Sequence, residues 1–157
     1  KKIFDDRDKA VRQVINDFEF SLTHHLLKGK HRLEIFDQYY WLCYTYLEKA
    51  NTFRSLGLEN IAQPLERAFY ISDDILFAVE DLKLSEFSKE TDFEQAKKEV
   101  LEYIKEAKQE VEENLKELDE FLPILSYSLK SINEKLAEAL EEYANNIKFR
   151  KDEFPLS

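Results

Sequence analysis

From Phe93 to Ile147 the apolar side chains recur at spacings of three and four residues: Phe93, Ala96, Val100, Ile104, Ala107, Val111, Leu115, Leu118, Leu122, Leu125, Leu129, Ile132, Leu136, Leu140, Tyr143 and Ile147. Only an α-helix gathers that spacing onto one side, and here it holds for more than seven heptads. The stripe keeps its phase across Pro123, which falls on its polar side. Two chain paths satisfy it. A hairpin at Leu122-Pro123 makes five helices and a compact body. A continuous helix kinked at Pro123 reaches roughly 80 Å at about 1.5 Å per residue and needs a partner chain over its far half. The unbroken phase, with neither Gly nor Asn at the turn, favours the kinked form.

The rest of the chain is punctuated as sparsely. With 2 Gly and 3 Pro in 157 residues, the tight turns of a sandwich, barrel or doubly wound sheet cannot be built. Asp5 and Asp6 can cap a first helix that stops at Gly29, and a second, over about 31–55, stops at Gly57. Asn60 with Gln63 resembles a capping box that opens a third helix to about Leu82, with Pro64 in its first turn. Residues 85–90 form a polar linker, and Thr91 with Glu94 is a second capping box. The expected fold is all-α: an antiparallel bundle of four long helices, the last kinked or broken at Pro123, with five helices if it is broken. Residues 1–148 make one helical-bundle domain, and 149–157, which contain Pro155, form a fraying C-terminal tail.

Charge narrows the partners. Lys and Arg number 23 against 33 Asp and Glu, a net −10, so the field repels phosphate backbones and anionic lipid. Neither nucleic-acid binding nor membrane insertion is expected, because no apolar run approaches the roughly 20 residues of a membrane span. The lone Cys43 forms no internal disulfide and suits a reducing, cytoplasmic setting. A processed mature chain or an extracytoplasmic domain would have the same composition. The lack of methionine, initiator included, points to trimming.

The 12 Phe, 8 Tyr and 1 Trp supply the core, but not all are in phase with it. On a helical wheel the second helix turns Ile35, Phe36, Tyr39, Tyr40, Leu42, Cys43, Tyr46, Leu47, Ala50 and Phe53 inward. Trp41 sits in its polar arc and Tyr44 at the edge. In the third helix Tyr70 and Phe77, one heptad apart, stand among Asp73, Asp74, Glu80 and Asp81. In the first, Phe20 and Leu27 lie with Arg12, Gln13 and His24. A second packing layer would cover these side chains. A protein interface would use them, since Trp and Tyr are enriched at binding hot spots.

Signatures of chemistry are missing. His24 or His31 with Glu34 or Asp37 could hold a metal, yet the Glu-x-x-His pairs of di-iron bundles are absent. His25 falls on an apolar face, Cys43 on an apolar arc without a histidine neighbour, and the carboxylates of Asp73-Asp74 and Glu112-Glu113 face solvent. No phosphate loop, zinc spacing or calcium loop occurs. A weak tetratricopeptide-like spacing over 46–68 has no second copy.

These features point to a non-enzymatic interaction protein, without metal or cofactor: an adaptor, an assembly or export chaperone, or a small complex subunit. Its acidic, aromatic-studded surface would be formed by Trp41, Tyr44, Tyr70, Phe77, Phe20, Leu27, Asp73 and Asp74. A basic amphipathic helix is the expected partner, and a homodimer through 123–147 follows from the kinked form. One alternative is a four-helix ligand-binding sensor domain of a membrane receptor. Another is a metal protein or enzyme using His24 and His31 with nearby carboxylates.

Overall fold

The computed structural model describes residues 34–150 together with residues 9, 12–14, 16, 17 and 20. Among them are four long helices: α1 (Ile35–Ser55), α2 (Glu59–Leu84), α3 (Glu90–Lys116) and α4 (Pro123–Asn145). Connections of three to six residues join them, short enough to force antiparallel neighbours. Each helix packs on the next, and α4 closes the ring against α1. Ion pairs and rings give the directions. Phe36 near the start of α1 meets Tyr143 near the end of α4, ring centres 6.2 Å apart. Arg67 early in α2 reaches Glu117 just beyond α3 at 2.7 Å. The described residues before residue 34 are all helical, and Val14 among them packs against the same core.

Gly57 ends α1 as its sequence position predicts. Its φ of 78° is open to glycine at little cost. The Gly57 N–H donates to the Arg54 carbonyl at 2.9 Å, and the Leu58 N–H donates to the Phe53 carbonyl at 3.0 Å. This is the paired bonding of a Schellman stop. Leu58 packs on the core beside the buried Phe53, so the turn is pinned by apolar contact as well. Gly29 lies outside the described residues.

The two predicted capping boxes do not form. α2 starts from Leu58 and α3 from Lys89, neither with a side-chain cap, so Asn60 and Thr91 already lie inside the first turn. Acidic side chains replace the caps. Glu59 opens α2 and binds Arg54 at 3.0 Å, and Glu90 and Asp92 sit at the positive end of α3.

The kinked continuous helix is corrected to a hairpin. α3 ends at Lys116, and Pro123 is the first residue of α4, where its missing N–H costs nothing. Between them the backbone keeps helix-like bonds: Leu118 N–H to the Leu115 carbonyl at 3.0 Å and Leu122 N–H to the Leu118 carbonyl at 2.7 Å. Leu122 leaves the helical region, at φ −139° and ψ 68°, as a residue before proline is pushed to do. α3 and α1 thus cover the far half of the stripe from within the chain. Lys108 to Glu138 at 3.0 Å and Lys105 to Glu141 at 3.5 Å lace the outside of α3 and α4.

A polar clasp holds the turn. Asp119 accepts from the buried Ser126 hydroxyl, which also lies 2.9 Å from the Leu115 carbonyl, and Lys130 pairs with Asp119 at 3.2 Å. The Ser126 hydrogen bond, then Lys130, hold the Asp119 carboxyl below the usual carboxylate range. A carboxyl lowered by folding stabilises the native state above its unfolded value, and that contribution disappears as the pH falls through the folded value. Asp119→Asn is therefore expected to lower the urea midpoint at neutral pH and to match the wild type in acid. A gap that persists below the carboxyl's folded value would contradict the clasp.

The core is one continuous cluster drawing on all four helices. Among the described residues, two buried polar atoms, the Tyr46 hydroxyl and Asn133 Oδ1, have no hydrogen-bond partner. The neighbouring Tyr39 hydroxyl is within 3.5 Å of Ser72 Oγ.

Candidate protein-docking face

Tyr70 and Phe77 point outward from α2, as the wheel predicts, and are 58% and 73% exposed. Leu84, one heptad further on, is 66% exposed and extends the row. Fourteen residues of helix separate the ends of this row, so it runs about 21 Å along the surface. Asp73 and Glu80 flank it on the side of α1, and Asp74 and Asp81 on the other. The one lysine between 70 and 84 is Lys83, whose ammonium lies 5.6 Å from the Tyr143 ring of α4.

Aromatic contacts carry the face across to α1. The Tyr40 and Tyr44 rings are 4.6 Å apart, Tyr44 meets Phe69 edge-on at 5.4 Å, and Phe69 meets Tyr70 at 5.0 Å. Phe69 is buried, so it anchors the exposed rings to the core. The Tyr44 hydroxyl donates to Asp73 at 3.4 Å. The Asp73 charge, with some desolvation, raises the Tyr44 phenol above its ordinary value. A shallow cleft of about 430 Å³ opens along α1 between Asp37 and Glu48, with Tyr40, Trp41 and Tyr44 in its wall.

The candidates therefore divide. Tyr44, Asp73 and Tyr70 come together on the α1–α2 side of the bundle, and Phe77 and Asp74 project from the outer surface of α2. Trp41 is half-buried and packs against the core, so it has a structural role whatever else it touches. Phe20 is exposed, and Leu27, His24, His25 and His31 lie outside the described residues. Two members of the face were not expected. The helical wheel turns Tyr40 inward, but it is half-exposed and packs on Tyr44 one turn away; the i,i+4 tyrosine pair is the signal in the sequence that points to it. Leu84 lies beyond the predicted end of this helix, at about Leu82, and counting one more heptad from Phe77 reaches it.

Elsewhere the titratable groups behave as structural ones. The Cys43 thiol is buried and donates to the Phe69 carbonyl at 3.6 Å, and desolvation pushes its pKa up, away from thiolate formation. Burial likewise raises the Tyr39 and Tyr46 phenols. Glu112 is raised by desolvation and by the Glu134 charge. Among the described residues no three His, Cys, Asp or Glu side chains are grouped so as to hold a metal ion, and no helix is long and apolar enough to cross a membrane. No family model, curated protein or solved structure matches the chain.

Proposed function

We propose that the protein is a non-enzymatic interaction protein, of the adaptor, assembly-chaperone or small-subunit kind, whose α1–α2 face receives a basic amphipathic helix from its partner. The observation that carries this reading is the exposed row of Tyr70 and Phe77, joined through buried Phe69 to Tyr44 and Tyr40 and set among carboxylates. Large exposed aromatic groups supply apolar contact at low entropic cost, and the surrounding negative charge selects cations. Self-association through 123–147 forms no part of the reading, because α3 and α1 already cover that stripe.

The test compares the wild type with the double variant Tyr70→Ser, Phe77→Ser, titrated into a labelled lysine-rich amphipathic helical peptide and into its glutamate-rich counterpart. Both side chains are exposed, so the thermal midpoint is expected to change little. The wild type is expected to bind the basic peptide, more weakly as salt rises, and the variant to lose about tenfold or more in affinity. Trp41, in the cleft wall, gives an intrinsic fluorescence signal for the same titration. Equal binding of the acidic and basic peptides, or an unchanged affinity in a folded variant, would overturn the proposal.

A further inference from the structure

The face on α2 is a repeat. Residues 70–76 read Tyr-Ile-Ser-Asp-Asp-Ile-Leu, residues 77–83 read Phe-Ala-Val-Glu-Asp-Leu-Lys, and Leu84 begins a third copy. In each copy the first residue is a large apolar group exposed to solvent, the fourth and fifth are acidic, and the sixth, Ile75 or Leu82, is buried. Seven residues make nearly two helical turns, so the apolar anchors succeed one another every ~10 Å with an acidic pair in each interval. A surface with that period is matched by a second helix with the same period, as the two strands of a coiled coil match each other.

Resting on the docking reading above, we propose that the partner segment is a heptad-repeating helix. It places one apolar residue against each gap in the Tyr70–Phe77–Leu84 row and a Lys or Arg opposite each of the pairs Asp73-Asp74 and Glu80-Asp81. Charge complementarity selects this occupant. Residues 70–84 carry four carboxylates and one lysine, and Lys83 is held over the Tyr143 ring. A second copy of the same acidic stripe would be repelled. Length is set as well, since engaging all three anchors takes about 15 residues of helix and a segment of about 8 spans one interval.

Three labelled peptides of about 22 residues and equal helicity separate the possibilities. One has leucine at every seventh position with arginines between. One has the same composition with the leucines out of register, and one has glutamate for arginine. A shortened in-register peptide of about 11 residues is the fourth probe. The in-register peptide is expected to bind about tenfold or more tightly than the out-of-register one, and the shortened one to lose a similar factor. Phe77→Ser is expected to abolish the preference for register while leaving the out-of-register affinity unchanged. Asp74→Lys with Asp81→Lys is expected to turn the preference toward the glutamate peptide, and far-ultraviolet circular dichroism checks the fold of both variants. If the two arginine peptides bind alike, the heptad inference falls while the basic-helix reading stands. If neither binds better than the glutamate peptide, the docking reading itself falls.

Discussion

Leu118→Ala is expected to destabilise the protein by about 2–5 kcal/mol, a fall of roughly 10 °C in thermal midpoint for a chain of this size. Leu118 lies in the turn after α3, outside any helix, yet it has no solvent exposure. Its N–H donates to the Leu115 carbonyl at 3.0 Å, and its own carbonyl accepts from Phe121 at 3.0 Å and Leu122 at 2.7 Å. With the backbone fixed at both groups, the surroundings cannot move in to fill the space that a truncated side chain leaves, which places the cost in the upper part of that range. Ile124→Ala, six residues on and largely exposed, is the control and is expected to stay within about 0.5 kcal/mol. Urea unfolding of the two variants measures the difference. A cost below about 1 kcal/mol for Leu118→Ala would mean that the reversal at this end of the bundle does not depend on the packed turn.

Ala137→Leu is expected to cost about 1–3 kcal/mol, by the opposite mechanism. Ala50, Ala62, Ala68, Ala107, Ala137 and Ala144 are all buried, at 1% exposure or less. Alanine at such positions lets two helix backbones approach closely, so a larger side chain must drive them apart or adopt a strained rotamer. Helix propensity differs little between the two residues, so it does not mask the sign. Ala139→Leu, on the same helix but only partly buried, is expected to be nearly neutral. Equal melting curves for the two variants would show that Ala137 is not at a close contact.

The sequence was most informative where a single residue imposes a backbone shape. Gly57 marks the end of α1 because few other residues take its φ, and the apolar periods establish an all-α bundle. It was least informative at the α3–α4 reversal, and the reason is geometric. The N–H groups of residues 117–119 and 121–122 keep tight turn bonds while Leu122 departs from helical dihedrals, so Leu115, Leu118, Leu122 and Leu125 keep their spacing through a change of direction. Counting periods cannot detect a reversal made within so short a turn. The capping boxes failed for a different reason. Glu59 and Glu90 offer each helix a favourable acidic start one residue before Asn60 and Thr91, and the helix begins there. For the docking face, the wheel placed Tyr70, Phe77, Asp73 and Asp74 on the outside. It could not place Tyr40, whose ring follows Tyr44 instead of the core, nor show that Phe69 links the two helices.

Within the α2 repeat, outward and inward roles fall on different residues. Ser72, Ile75, Leu76, Val79 and Leu82 are buried, and Tyr70, Asp74, Phe77, Glu80, Asp81 and Leu84 are exposed. Substitutions on the outer row therefore leave the folded population almost untouched, while those on the inner row deplete it. A lineage carrying this helix is free to vary the chemistry of its outer surface by single steps, without an intermediate that fails to fold.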